Sequence, residues 1–250
     1  MTDNVLIERR GAVQLIRMNR PEKKNALTRA MYDRMAAALA EGDADPDIRV
    51  HVFFGAPGAF CAGNDMQDFL AYSTSGELGA DVNSFLLALA GAKKPMLAGV
   101  DGLAIGIGTT IQFHCDLTFA TPQSLFRTPF TDLGIIPEAG STLMGPALLG
   151  HQKAFALLAM GRGWTAAEAL AAGLIFGIVE ADGLEETVMA AADEIAAKPP
   201  EAMQLTRELL RMPREEVVDR ITLETGLFKA RLKSDEARAA FEAFVNRKAR

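Results

Sequence analysis

Short apolar runs rich in β-branched and aromatic residues alternate with helix-like segments along the middle of this 250-residue chain. The runs at residues 49–54, 96–100 and 117–120 are bounded by glycine, proline or acidic residues, a pattern typical of buried strands. Helical periodicity at 78–90 and at about 108–114 separates them. Parallel strands require crossover connections, which are right-handed and usually helical. The alternation therefore predicts an α/β fold with a largely parallel sheet.

Local signals also predict how the chain begins. Val5–Glu8 and Val13–Met18 are β-rich segments joined across a glycine, which predicts a β-hairpin. Thr28 is a predicted N-cap, and the four-residue spacing of the methionines and leucine after it predicts an amphipathic helix that ends at Gly42.

Beyond Gly134 the sequence is mostly helical. A Thr165-x-x-Glu168 capping box predicts the start of one helix, and Pro199-Pro200 marks the clearest boundary in the chain. We therefore expect a core formed by residues 1–198 and a C-terminal helical region formed by residues 199–250.

Composition excludes several classes of protein. A net charge of −6, a sequence pI ≈ 5.2 and the lack of any dense lysine or arginine run argue against a nucleic-acid surface. Cys61 and Cys115 are too few for a disulfide framework, and the three histidines lack metal-ligand spacing. No basic leader or membrane-length apolar stretch is present. We expect a reduced cytoplasmic protein that binds no metal, separate cofactor, nucleic acid or membrane.

The segment from Asp101 to Gly108 places three glycines where a predicted strand gives way to a helix. Glycines at such a junction let main-chain N–H groups approach a ligand, and the helix start adds the positive end of its dipole. A phosphate or a developing oxyanion would suit this position. A tight connection that needs glycine only for unusual dihedral angles is the alternative.

A second glycine loop, Cys61-Ala-Gly-Asn-Asp65, follows a different predicted strand. In a parallel sheet the corresponding strand ends meet at one edge, so an N–H group from each loop can point at the same carbonyl oxygen. Read locally, Gly63 is only a turn residue and Asn64 its polar neighbour.

Four ordered segments carry a family resemblance. They are NRPEKKNAL at 19–27, FCAGNDM at 60–66, KPMLAGVDGLAIGIG at 94–108 and FRTPFTDLGIIPEAGS at 126–141. Together they resemble the enoyl-CoA hydratase/isomerase (crotonase) superfamily, and the match covers nearly the whole chain. The resemblance implies an α/β spiral of ββα units with a C-terminal helical trimerisation region. It also implies an acyl-CoA substrate and a homotrimer or dimer of trimers.

The same resemblance implies which residues meet the substrate. The main-chain N–H groups of Asn64 and Ile107 would be the two oxyanion donors. Lys23 and Lys24 match positions where the family places a basic group near the CoA phosphates, although exposed turn lysines are equally common. The other positions matched to acyl-CoA are Ala26, Ala62, Gly63, Asp65, Met66 and Gly106. Coenzyme A would then be part of the substrate.

Departures from the family pattern indicate the reaction. Hydratases place two glutamates beside the acyl chain, and the corresponding residues here are Thr110 and Phe130, which disfavours efficient addition of water. Glu138 instead matches the single acid/base of the peroxisomal-type Δ3,Δ2-enoyl-CoA isomerases. Its local alternative is a carboxylate at a helix start. Asp132 either orients Glu138 or is a solvated turn residue.

The resemblance thus favours an acyl-CoA double-bond isomerase that converts 3-enoyl-CoA to trans-2-enoyl-CoA, with Glu138 carrying a proton from C2 to C4. Two alternatives stay open. One is another crotonase-type reaction on the thioester, such as hydrolysis, dehalogenation or a hydratase-like step, since the oxyanion donors are shared. The other is an acyl-CoA-binding protein without catalytic activity.

Overall fold

The computed structural model describes residues 3–65, 67–68 and 79–248. The strands of these segments are β1 (Val5–Arg10), β2 (Val13–Met18), β3 (Val50–Phe54), β4 (Ala59–Cys61), β5 (Met96–Val100), β6 (Leu103–Ile105), β7 (Leu117–Ala120), β8 (Leu125–Arg127), β9 (Trp164–Thr165) and β10 (Gly177–Ile178). The helices are α1 (Arg29–Ala44), α2 (Ala80–Gly91), α3 (Ile107–Thr110), α4 (Ser141–Leu149), α5 (His151–Ala154), α6 (Ala166–Ala172), α7 (Leu184–Ala196), α8 (Pro200–Leu210), α9 (Arg214–Leu232) and α10 (Asp235–Lys248).

Two sheets organise the described strands. The larger has the order β1-β2-β3-β5-β7-β10, and its neighbours are parallel except for the β1–β2 hairpin. The smaller has the order β4-β6-β8-β9, with only β8 and β9 antiparallel. The chain passes from β3 to β4, from β5 to β6 and from β7 to β8, so each step along the larger sheet adds a strand to the smaller one. This repetition confirms the expected α/β spiral of ββα units.

The smaller sheet corrects the expectation that the glycine segments are loops leaving a single sheet. Residues 59–61 and 103–105 are strands β4 and β6, which pair in parallel with Ala59 opposite Leu103 and Cys61 opposite Ala104. Strands of three residues are too short to show the alternation that marks a strand in a sequence. Their pairing brings the two glycine segments side by side at the ends of β4 and β6.

Helix α1 shows one difference at its C-terminal end. The Thr28 side chain accepts a hydrogen bond from the main-chain N–H of Met31, as the N-cap prediction requires, but the helix continues through Gly42 to Ala44. A Cβ atom at Gly42 would lie 2.3 Å from Oε1 of Gln14 and 2.6 Å from Cε1 of His51. Gly42 therefore permits a close contact with the larger sheet rather than ending the helix.

The C-terminal helices share the main apolar core. Val217, Ile221 and Phe228 of α9 and Phe241 of α10 are buried in the same cluster as the helices α1 and α2. The division at residues 198 and 199 stays a prediction, although α8 does begin at Pro200. None of the helices described is both long and apolar enough to cross a membrane.

Candidate active site

The two glycine segments meet where β4 and β6 end. Gly63 and Gly106 both have positive φ angles, of 90° and 57°. A Cβ atom at Gly63 would lie 3.3 Å from the carbonyl oxygen of Ile105, and one at Gly106 would lie 3.9 Å from Cα of Gly63. The main chains of the two segments are thus nearly in contact, as a shared pair of N–H donors requires.

The N–H groups of Asn64 and Ile107 are both available to a ligand. Leu27 donates to Gly63 O and accepts from Asp65 N, each at 2.8 Å. In this parallel bridge the N–H of Asn64, which lies between them, points to the opposite side. Ile107 is the first residue of α3, so its N–H has no partner within the helix.

The side chains beside the first donor are held by long-range hydrogen bonds. The Tyr32 hydroxyl of α1 donates to Oδ1 of Asn64 at 2.6 Å. Asp65 accepts from Nη1 of Arg20 at 2.6 Å, and this pair is largely buried. Sequence reasoning missed Tyr32 because its spacing on the buried face of α1 is that of an ordinary core residue.

A basic turn is attached to the same segment. Lys24 and Asn25 have positive φ angles of 51° and 56°. The buried Asn25 side chain accepts from Arg20 N at 2.7 Å and donates to Ala59 O at 2.8 Å, while Lys24 O accepts from Ala62 N at 3.0 Å. These hydrogen bonds hold the turn that carries the lysines against β4 and the residue that follows it. Sequence reasoning did not identify Asn25, which has no local signal beyond a turn-forming residue type.

A cavity of about 540 Å³ lies between the basic turn and the glycine segments. Its walls are formed by Arg20, Glu22, Lys23, Lys24, Ala26, Ala62, Gly63, Asn64, Asp65, Gln67, Ile105, Gly106, Pro129, Phe130, Leu133 and Ile135. Every residue matched to acyl-CoA lies here except Met66, which is outside the described residues. Ile107 and Glu138 do not line the cavity. Ile107 directly follows Gly106, and Glu138 contacts Thr110 of the same helix α3.

Glu138 is a buried carboxyl group beside α3. The Thr110 hydroxyl donates to its Oε1 at 2.6 Å. Burial raises the pKa of Glu138 to about 8, the hydrogen bond from Thr110 opposes this rise, and the charge of Glu224 adds to it. A carboxyl group with this pKa exists in both protonation states near neutral pH, as an acid/base catalyst requires.

The carboxylate of Glu138 does not stabilise the start of α4. Ser141 donates through both its main-chain N–H and its hydroxyl to the main-chain oxygen of Glu138, at 3.1 Å and 2.6 Å. The N–H groups at the helix start are instead bound by Glu224 of α9. At this helix start it is therefore Glu224 that binds the main-chain N–H groups of Gly140 and Thr142.

Asp132 is placed away from this role. It lies in the 3-10 turn Thr131–Leu133 and pairs with Arg127 at 2.8 Å, with both side chains about half exposed. It does not hydrogen-bond Glu138, and it fits the solvated-turn interpretation.

Within the described segments, no group of three or more His, Cys, Asp or Glu side chains is arranged to hold a metal ion.

Comparison with known proteins gives consistent matches. A family model described as enoyl-CoA hydratase/isomerase matches residues 8–250. The chain is 33% identical over 250 residues to enoyl-CoA delta isomerase 2 of Rattus norvegicus, covering 98% of this chain but only 64% of the rat protein. It is 32% identical over 244 residues to a probable enoyl-CoA hydratase of Rhizobium meliloti, covering 97% and 95% of the two chains. The structure of Pseudomonas aeruginosa OdaA matches with a TM-score of 0.92 at 39% identity, covering 97% of this chain and 99% of that one.

Proposed function

The chain belongs to the enoyl-CoA hydratase/isomerase family, and on that premise we propose that it converts 3-enoyl-CoA to trans-2-enoyl-CoA. The observation that carries this proposal is the buried Glu138, whose pKa is raised by burial to about 8 and which contacts the helix that supplies one oxyanion donor. Thr110 and Phe130 stand where a hydratase would carry its glutamates, so a single carboxyl group serves the reaction. The relatives carry both isomerase and hydratase names, so those names do not distinguish the two reactions. The preference for isomerisation is based on this chain's own residues.

The chemistry needs one carboxyl group and two N–H donors. The C2 proton of a 3-enoyl thioester is acidic because its removal gives a dienolate, with the negative charge shared by the thioester oxygen. The N–H groups of Asn64 and Ile107 bind that oxygen, and one such donor contributes about 3–4 kcal/mol in other enzymes. Glu138 takes the proton from C2 and returns it at C4, so the double bond moves from C3–C4 to C2–C3 without oxidation or reduction.

The hydrogen bond from Thr110 selects the oxygen that carries the proton. Because Oε1 of Glu138 accepts from the Thr110 hydroxyl, Oε2 is the oxygen that remains to take up and release the proton. Thr110 also keeps the carboxyl group in one orientation. The same oxygen can then reach two carbon atoms of one substrate in succession.

The cavity walls fit the two ends of an acyl-CoA thioester. Lys23 and Lys24 provide positive charge in the cavity wall, which suits the phosphates of CoA, whereas the charge of Arg20 is paired with Asp65. Phe130 and Leu133 provide an apolar surface, which suits an acyl chain. The oxyanion donors lie where the two glycine segments meet, next to both surfaces.

Replacing Glu138 by glutamine tests the proposal. E138Q keeps the size of the side chain but cannot accept the C2 proton, so we expect turnover of a 3-enoyl-CoA to fall by at least about 100-fold. Affinity for the acyl-CoA should remain close to that of the unchanged protein. E216Q is the matched control, because Glu216 is exposed on α9, and it should retain full activity. Unchanged turnover in E138Q would contradict the assignment.

A substrate panel separates this proposal from the alternatives. Rapid hydration of a 2-enoyl-CoA would indicate a hydratase, and release of free CoA would indicate a thioesterase. A protein that only binds acyl-CoA should show affinity without exchange of the C2 proton into deuterated water. We expect isomerisation with C2 exchange that depends on Glu138.

A further inference from the structure

Glu224 of α9 reaches the segment that follows Glu138 from the C-terminal part of the chain. Its side chain is buried, with 2% of the residue exposed. Oε2 accepts from Gly140 N at 2.6 Å, and Oε1 accepts from the main-chain N–H and the hydroxyl of Thr142 at 3.0 Å and 2.6 Å. One carboxylate therefore binds three donors within four residues of Glu138.

The segment that it binds has an unusual backbone. Ala139 and Gly140 are consecutive residues with left-handed φ angles of 63° and 69°. For the non-glycine Ala139 this conformation is strained, and it persists only where surrounding contacts impose it. Nε2 of the buried His114 donates to Ala139 O at 2.7 Å. His114 and Glu224 thus bind the two ends of one peptide group, the one that joins Ala139 and Gly140.

A local cap at this helix start is excluded. Gly140 is the N-cap residue of α4 and has no side chain, and a Cβ atom there would lie 3.1 Å from Cγ1 of Val217. Its left-handed φ angle also disfavours the Ser, Thr or Asp that usually caps a helix. The close contact with Val217 and the carboxylate of Glu224 both come from α9.

We infer that Glu224 is a positioning residue of the active site, which holds the turn at residues 139–142 and so fixes the Glu138 carboxyl group relative to the N–H groups of Asn64 and Ile107. This inference rests on the proposed isomerase function. Glu224 acts through the backbone and does not itself exchange a proton with the substrate. A small displacement matters in such a site, since a misplacement of about 1 Å can lower turnover about 100-fold.

Glu224 differs from an ordinary helix-capping residue because its charge affects the pKa of Glu138. Burial raises the pKa of the Cys61 thiol to about 12 and lowers the pKa of His114 to about 4, so both are neutral at neutral pH. Arg220 of α9 donates to Thr142 Oγ1 at 3.0 Å. Burial raises the pKa of Glu224 itself, although its hydrogen bonds from Thr142 and Gly140 and the charge of Arg220 oppose the rise. When Glu224 is ionised, its charge raises the pKa of Glu138.

Two substitutions separate the geometry from the charge. E224Q keeps the length of the side chain, removes the negative charge and places an NH2 group against one of the donors. We expect kcat to fall by about 10- to 100-fold with little change in KM, and the acidic limb of the pH profile to move to lower pH. E224D keeps the charge but withdraws it by one methylene. For E224D we expect a lower kcat and an acidic limb at nearly the same pH as in the unchanged protein.

The measurements are kcat, KM and the pH profile with a 3-enoyl-CoA, together with Tm to assess folding. E216Q, the same change at an exposed position of α9, should leave all of them unchanged. Unchanged kcat and pH profile in folded E224Q would overturn the inference. The inference would also be overturned if activity fell only in proportion to the fraction of folded protein and the acidic limb of the pH profile did not move. If E138Q itself is fully active, the proposed function fails; if only the Glu224 variants behave normally, the function stands without this role.

Discussion

Opposing interactions set the pKa of the Glu138 carboxyl group. Burial raises its pKa to about 8, and the Thr110 hydroxyl, at 2.6 Å from Oε1, opposes the rise because it stabilises the ionised form. In the proposed isomerisation, Glu138 must be ionised to take a proton from C2. Activity should therefore rise with pH through an apparent pKa near 8.

Replacing Thr110 by valine should move the acidic limb of the pH profile, in which activity rises with pH, to higher pH. T110V removes the hydrogen bond that favours ionised Glu138, so its pKa should rise further, by about one pH unit. At pH 7 a smaller fraction of the enzyme would carry the ionised base, and kcat/KM would fall. The measurement is the pH dependence of kcat/KM. T110S retains the hydroxyl and should keep the original limb. A limb that stays in place or moves to lower pH in T110V would contradict this account of Thr110.

The ends of β4 and β6 determine where the two proposed oxyanion donors, the N–H groups of Asn64 and Ile107, point. Because these strands pair in parallel, Gly63 and Gly106 lie at the same edge of the smaller sheet. Gly106 has φ 57° and ψ −119°, a combination that side chains rarely adopt, and it is the N-cap residue of α3. This conformation directs the N–H of Ile107, which follows it.

Gly106→Ala should weaken catalysis through the backbone. A Cβ atom at Gly106 would meet nothing closer than 3.9 Å, so the effect comes from the dihedral angles rather than from a clash. Such a strained residue costs about 1–3 kcal/mol, and misdirecting one oxyanion donor lowers kcat by about 100- to 1000-fold. Kinetics and thermal unfolding check both effects. Gly91→Ala is the matched control, since Gly91 ends α2 with open space around it. If G106A turns over like G91A, the N–H of Ile107 is not a donor.

Secondary structure was predicted best where a side chain marks a boundary. Thr28 caps α1, and the capping box formed by Thr165 and Glu168 is present at the start of α6. The predicted strands at 96–100 and 117–120 match β5 and β7. The strands of the smaller sheet were missed because two or three residues carry no periodic signal, and only their pairing defines them.

At the scale of the whole molecule, several large apolar side chains are exposed on the C-terminal helices α8 and α9. On α8, Leu209 and Leu210 are 87% and 82% exposed. Leu205 of the same helix and Leu223 and Leu227 of α9 are also more than half exposed. A monomeric protein rarely exposes so many large apolar side chains on neighbouring helices. Phe241, in contrast, packs in the chain's own core.

We propose that this surface joins copies of the chain into a homotrimer or a dimer of trimers. Light scattering after size exclusion should give a mass of three or six times the 26.8 kDa chain. L209D would place a charge in the interface and should lower that mass, whereas Q204D, at an exposed polar position on a different face of α8, should not. A wild-type mass of one chain at micromolar concentration would contradict the proposal. The cytoplasmic location and the lack of a separate cofactor likewise stay predictions.

The sequence alone determined the α/β class, most helix and strand positions and the glycine segments, and through the family resemblance it indicated Glu138, Asn64 and Ile107 as the proposed site. These features depend on local periodicity, caps and short motifs, which neighbouring residues encode. The tertiary structure decided which side chains hold that site: Thr110 on Glu138, Tyr32 on Asn64, and Glu224 on the turn after Glu138. Such contacts join residues 28 to 84 positions apart, and only the packing of whole elements brings them together.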